Sequence, residues 1–79
     1  DRILLALAHT EDSIKVSARS SKSLIDRGLN LGKLISKAAS LVGGRGGGHD
    51  IAAGASIPKT KKTLFVLEVD RIIGEELGD

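Results

Sequence analysis

The chain has 79 residues, with 12 Lys or Arg against 10 Asp or Glu, one Phe as its only aromatic side chain, and no Cys, Met, Trp or Tyr; this is one small domain of net charge +2. A domain this short buries only about 60% of the surface its unfolded chain exposes, so its core has to be economical. The composition excludes a disulfide scaffold, a cysteine zinc site and a thiol nucleophile, and a lone Phe cannot hold successive bases in a stack. The longest apolar run, Ile3 to Ala8, is too short to span a bilayer and follows no signal-peptide pattern, so no membrane partner and a cytoplasmic location are expected. Because it opens at Asp1 and contains no Met, the chain is expected to be a piece of a longer protein.

Taken in order, residues Arg2 to His9 are nearly continuous apolar, the pattern of a strand buried on both faces. Thr10 to Ser13 form a polar turn. Ile14 to Ser20 then alternates, Ile14, Val16 and Ala18 on one face and Lys15, Ser17 and Arg19 on the other, which predicts a hairpin with the first strand. Ser21 to Leu29 is polar and irregular and reads as a loop holding one helical turn. Asn30 is a good helix N-cap, and Leu31, Leu34, Ile35, Ala38, Leu41 and Val42 recur at three- and four-residue steps up to Gly43. Gly43 to Gly48 is a glycine-rich loop. Ile51 to Ile57, small and apolar, reads as a tightly packed strand ended by Pro58, with something lying close against its backbone. Thr60 to Leu77 carries Phe65, Val69, Ile72, Ile73 and Leu77 at helical spacing, although Leu64 to Val69 taken alone also fits a strand.

The net charge understates an asymmetry. Ten of the twelve basic residues lie between Lys15 and Lys62, opposed there only by Asp26 and Asp50, so the middle of the chain carries +8 while both ends are acidic. If the fold gathers the middle on one face, that face attracts phosphate; otherwise the lysines are scattered over solvated surface.

The most informative stretch is Gly44, Arg45, Gly46, Gly47, Gly48, His49 and Asp50. Glycine at this density costs backbone entropy, which points to a conformational reason. Consecutive glycines let N–H groups converge on an anion with no Cβ in the way. Arg45 and His49 would add a charge and a directional donor, and Lys15, Ser17 and Arg19 on the neighbouring strand would form a second wall. The stretch is neither a Walker A loop nor a dinucleotide fingerprint, whose last glycine falls on His49. The plain alternatives are a flexible connector for the glycines and an edge-strand surface for the arginine. His49 with Asp50 resembles the dipeptides of metal phosphohydrolases, but a catalytic metal needs about three protein ligands, and no cluster supplies them.

Two segments, IKVSARS over Ile14 to Ser20 and GGGHDIAAGASIP over Gly46 to Pro58, carry a resemblance that covers nearly the whole chain. It resembles the C-terminal, DHH-associated domain of the DHH phosphoesterase family, closest to the RecJ-like single-strand-specific exonucleases and their archaeal relatives. The resemblance implies a small single α/β domain over residues 1–79, with a mixed β-sheet, two main helices and a glycine-rich loop. It implies a substrate-binding role: the family's GGGH motif falls on Gly46, Gly47, Gly48 and His49, and its arginine strand on Ser17, Arg19 and Ser20. Backbone amides and His49 would contact a phosphate or terminal nucleotide, with Arg19 and Arg45 supplying charge. Ala52, Ala53 and Gly54 would let the strand pack closely behind the loop.

The partners so implied are single-stranded nucleic acid or an oligonucleotide, and a DHH catalytic domain of the same chain that holds manganese or magnesium and performs hydrolysis. This domain alone would have no metal, no cofactor and no catalytic residue. Asp50 beside the anion pocket and Arg45 within the glycine run qualify the match. A related module ends the alanyl-tRNA synthetases, and His49 is what favours the phosphoesterase branch over it. Two other readings stay open: the same fold in a dinucleotide or nucleotide-bisphosphate phosphodiesterase, and a structural or interaction domain with a flexible glycine loop.

Overall fold

The computed structural model describes residues 3–78, so Asp1, Arg2 and Asp79, including the expected first residue of the opening strand, lie outside the description. β1 (Leu4–His9) and β2 (Ser13–Arg19) form the expected hairpin, in register Leu4 to Arg19 and His9 to Ile14. Thr10 closes its turn: its N–H donates to the Ser13 carbonyl at 2.8 Å, and its Oγ1 accepts from the Ser13 N–H at 3.0 Å. β1 is not buried on both faces. Leu5 and Leu7 are half-buried against the core, whereas Ala6 and Ala8 are exposed and Leu4 is 67% exposed. The near-continuous apolar run therefore belongs to an edge strand whose outward positions are mostly alanine.

β2 behaves as its alternation predicts, with Ile14, Val16 and Ala18 buried and Lys15, Ser17 and Arg19 exposed. The expected helical turn is α1 (Lys22–Asp26), which starts at Ser21 and drops Leu24 into the core; Leu29 follows it there. α2 (Leu31–Leu41) begins where Asn30 Oδ1 accepts the Lys33 N–H at 3.1 Å. It buries Leu31, Leu34, Ile35, Ala38 and Ala39, and the chain leaves it through Gly43 at φ +84°.

β3 (Arg45–Gly48) and β4 (Ala52–Pro58) form a second hairpin, and the chain then runs through a 3₁₀ turn (Lys59–Lys61) into α3 (Lys62–Leu77). The strand order is β1-β2-β4-β3 and all three ladders are antiparallel. The mixed sheet implied by the resemblance is thus corrected: each hairpin pairs its own strands antiparallel, and β2 and β4 also meet head to tail at the centre. The α/β class, the single sheet and the two long helices are as expected.

α2 and α3 lie on one face of the sheet and pack on each other. Phe65 is completely buried there with Val69, Ile72, Ile14 and Ile57, and burying a side chain of that kind contributes about 1.5–3 kcal/mol. The helical reading of Leu64 to Val69 is therefore the correct one, and the protein's only aromatic ring is withdrawn from the surface. On the outer face of α3, Arg71 pairs with Glu68 and Glu75, whose hydrogen bonds hold its guanidinium above its ordinary pKa. Among the described residues, no helix is long and apolar enough to cross a membrane.

Candidate functional site

Because both long helices sit on one side, the other face of the sheet is open. The registers set three rows of residues across it: Leu4, Arg19 and Ala52; Ala6, Ser17, Gly54 and Gly47; Ala8, Lys15, Ser56 and Arg45. His49 follows β3 directly, and its N–H donates to the Ala52 carbonyl at 2.7 Å, which sets it at the end of the first row, two strands away from Arg19. Four basic residues thus mark the corners of a patch roughly 13 Å along the strands by about 9.5 Å across them. Arg19 and His49 lie at one end, Lys15 and Arg45 at the other. None of these strand positions carries a carboxylate.

Between the corners the floor is made of Ser17, Ala52, Gly54, Gly47 and Ser56, with Ala6 just outside on β1, so an extended ligand can approach the backbone. Lys15 Nζ donates to Ser56 Oγ at 3.2 Å, and Arg19 Nη1 to the neighbouring Ala18 carbonyl at 2.9 Å. Such an array binds an anion by charge and hydrogen bonding. Its one ring is the imidazole of His49 at a corner, so it has no run of rings on which successive bases could stack.

The glycine run is a strand, not a loop, and this changes what its amides do. The His49 N–H bond to Ala52, and the Ser20 N–H bond to the Ile51 carbonyl at 3.0 Å on the other side of β4, fix which groups each ladder uses. By alternation, Arg45 and Gly47 turn their N–H groups toward β4, while those of Gly46 and Gly48 fall on the free edge of β3. The amides therefore do not converge on one anion as expected. A Cβ at Gly46 would come 3.0 Å from Ala55 Cβ and 3.1 Å from the Ile35 carbonyl. One at Gly48 would come 2.5 Å from the Ala52 carbonyl oxygen and from Ala53 Cα. These two glycines serve the close approach of α2 and β4. Gly47 is different, since a Cβ there meets nothing within 4 Å.

The N-terminus of α2 is likewise occupied from within. Leu31 N–H donates to the Asp50 carbonyl at 3.1 Å and Gly32 N–H to the His49 carbonyl at 2.8 Å, so the segment after the glycines caps the helix with its own backbone. Of the expected residues, the structure brings Ser17, Arg19, Arg45, Gly47 and His49 to one face. Gly46 and Gly48 are turned to the helix side and edge, and Ser20 lies just past β2, its hydroxyl donating to the Ser21 carbonyl. Ala53 is buried and lies against Gly48, whereas Ala52 and Gly54 belong to the open floor. Among the described residues, the Asp50 carboxylate makes no hydrogen bond or ion pair with His49.

Ser56 completes the patch and was not anticipated, because only the β2–β4 register puts it opposite Lys15. Gly32 was also missed. A glycine inside an otherwise strong helix pattern is itself a signal of close backbone approach, and a Cβ there would lie 2.5 Å from the Gly48 carbonyl oxygen. Among the described residues, no three His, Asp or Glu side chains stand close enough to hold a metal ion.

The model of the DHHA1 domain matches residues 2–75 of the chain. The chain belongs to the DHHA1 domain family. This DHHA1 domain is 49% identical over 70 residues to Uncharacterized protein MJ0831 of Methanocaldococcus jannaschii, covering 87% of this chain and 16% of that protein. It is 41% identical over 69 residues to the alanine–tRNA ligase of Bacillus subtilis, covering 84% of this chain and 8% of the ligase. The domain thus spans about a sixth or less of the length of these relatives. Its fold is similar to that of the C-Ala domain from Aquifex aeolicus alanyl-tRNA synthetase, with a TM-score of 0.71 at 20% identity over 96% of this chain and 66% of that one. The DHH-associated assignment made from the GGGH and IKVSARS segments stands, and the relatives whose names state an activity are alanine–tRNA ligases.

Proposed function

We propose that this DHHA1 domain is the substrate-binding part of a DHH-family phosphoesterase that acts on single-stranded nucleic acid in the manner of a RecJ-like exonuclease. The observation that carries the reading is the uncovered sheet face. Lys15, Arg19, Arg45 and His49 stand around a floor of small residues with no carboxylate among them. Phosphate contacts of this kind position a strand without reading its bases, and the burial of Phe65 keeps the phenyl ring away from them. Arg19 and His49 hold a phosphate at one end of the patch, and Lys15 and Arg45 neutralise the next part of the strand.

Among the described residues no cluster of His, Asp or Glu forms a ligand set for a metal. Hydrolysis, and the manganese or magnesium that would activate water for it, belong on this reading to a DHH catalytic domain of the same protein. A second reading is favoured by the 41% identity to an alanine–tRNA ligase: the same face contacts a folded RNA.

An amide-resolved NMR titration of the chain with a 5′-phosphorylated oligothymidylate, and in parallel with a transfer RNA, tests both. The exonuclease reading expects salt-sensitive shifts at Ser17, Arg19, Arg45, Gly47 and His49 with the single strand, and a log–log salt slope of about −1.4 for two neutralised phosphates. Shifts at that face with the transfer RNA only would replace it by the second reading. An unmoved face with either ligand would refute the site.

A further inference from the structure

Beside the open face, on the far side of β3, runs a groove of about 620 Å³ between the free strand edge and the outer side of α2. Its walls are Lys33, Ser36, Lys37 and Ser40 from the helix, with Asn30 at one end, and Gly47 and Gly48 from the strand. We propose that this groove is a second phosphate-binding subsite, reached from the sheet face across Gly47, so that the ligand is a strand several nucleotides long rather than a mononucleotide or dinucleotide. The inference rests on the sheet face being the first phosphate site.

Four observations converge on it. Lys33 and Lys37 are four residues apart on α2, hence neighbours on its surface, where like charges repel. Residues 31–41 contain no acidic residue to relieve that repulsion, and no carboxylate lines the groove. An anion between the two ammonium groups would relieve it. Second, the strand edge supplies a donor: by the ladder alternation the Gly48 N–H faces away from β4, and among the described residues it has no hydrogen bond to a side chain or to α2. Third, Ser36, between the two lysines, and Ser40, after them, place hydroxyl donors one turn apart along the groove. Fourth, Gly47 belongs both to the open face, in the row of Ser17 and Gly54, and to the groove wall, and the space where its side chain would stand is empty. A backbone can therefore cross β3 there without climbing over a side chain. The N-terminus of α2 adds nothing to this site, since its first N–H groups are bonded to Asp50, His49 and Asn30.

The test uses 5′-phosphorylated oligothymidylates of two to ten nucleotides, with fluorescence anisotropy read at several salt concentrations. For the unaltered chain, affinity rises with length. The double variant Lys33→Ala/Lys37→Ala should bind the dinucleotide as before, lose about tenfold for the longest strand, and show a salt slope shallower by about 1.4. Lys33→Arg/Lys37→Arg should restore both. Arg19→Ala should weaken every length together. Unchanged length dependence and salt slope in Lys33→Ala/Lys37→Ala, with Arg19→Ala weakened, would overturn the groove and leave the sheet-face reading intact. If Lys33→Ala/Lys37→Ala weakened all lengths while Arg19→Ala bound normally, the sheet face would fall, and with it the path across Gly47. Both lysines are exposed, so circular dichroism should report an unchanged fold in each variant.

Discussion

Substituting two adjacent glycines separates the packing role of the glycine run from its ligand role. In Gly48→Ala the new methyl would stand 2.5 Å from the Ala52 carbonyl oxygen, 2.5 Å from Ala53 Cα and 2.9 Å from Ala53 Cβ, at a backbone φ of +150°. The crowding is against backbone, which cannot rotate away, and overpacking of this kind costs about 1–3 kcal/mol. Holding a non-glycine residue at such a φ adds about 1–3 kcal/mol. A chain of 79 residues has a total stability of about 4–12 kcal/mol, so a combined cost near 4 kcal/mol is a large share of it. At about 4–8 °C per kcal/mol for a domain of this size, the midpoint should fall by at least about 15 °C. Gly47→Ala has no such contact, and the reduced freedom of its unfolded chain should stabilise it by about 0.4–1 kcal/mol. Thermal melts by circular dichroism and urea midpoints on the two purified variants decide the matter. Midpoints within about 3 °C of each other would refute the claim that Gly48 is required by close packing, and the glycine run would again be free to act as a flexible connector.

Four further outcomes are expected. Arg19→Ala and His49→Ala should each weaken a 5′-phosphorylated single strand, measured by anisotropy, while leaving the melt within about 2 °C, as usual for exposed substitutions; full binding by both would remove the sheet face from the site. Gly47→Leu should keep the fold, since its Cβ points into open space, yet lose affinity for strands long enough to cross β3. Asn30→Ala removes the acceptor for the Lys33 N–H and should cost about 1 kcal/mol, seen as a midpoint lower by about 4–8 °C. Lys33→Ala/Lys37→Ala should raise the melting midpoint slightly, because it removes a like-charge pair and adds two strong helix formers; a lowered midpoint would show that the two lysines stabilise the fold.

Side chains that repeat at the period of their element made most of the fold legible. β2 shows strict alternation, α2 has both a cap and a three-four spacing, and α3 is anchored by Phe65, Val69 and Ile72. β3 carried no such signal, because Gly46, Gly47 and Gly48 have no side chains to alternate, and a run of glycines reads as a loop whether or not it is paired. The apolar run from Ile3 to Ala8 misled for a related reason: alanine is apolar enough for a core and small enough for an open face, so Ala6 and Ala8 did not reveal which side was solvated. Strand direction in the sheet was hidden as well, since which strands become neighbours depends on pairings far apart in sequence. The same holds for the site. Lys15, Ser17 and Arg19 were visible as one face of one strand, but Arg45 and His49 join them only through β4, whose register also brings in Ser56.

The glycine motif therefore does two things by parity. Its even-numbered members, Gly46 and Gly48, face α2 and β4, where a methyl at Gly48 would collide with backbone and one at Gly46 would be tight against Ala55 and the Gly54 and Ile35 carbonyls, and they let the helix and its cap sit against the strand edge. Its odd-numbered member, Gly47, faces the solvent, where a methyl would collide with nothing. Packing gives no reason for glycine at that position, and strand propensity argues against it. The proposed site supplies one: the approach of another molecule to the backbone, between two rows that carry basic residues and next to a basic groove. On the proposed reading the strand accepts a polyanion on one side and a helix on the other, which leaves little room for side chains on either, and composition alone records only the sum of the two demands. The histidine that ends the run lies where both meet: its N–H closes the β4 ladder, its carbonyl caps α2, and its ring is left exposed on the row of Arg19. Replacing that ring alone, in His49→Ala, leaves both backbone bonds in place, so the proposed site expects loss of binding without loss of stability.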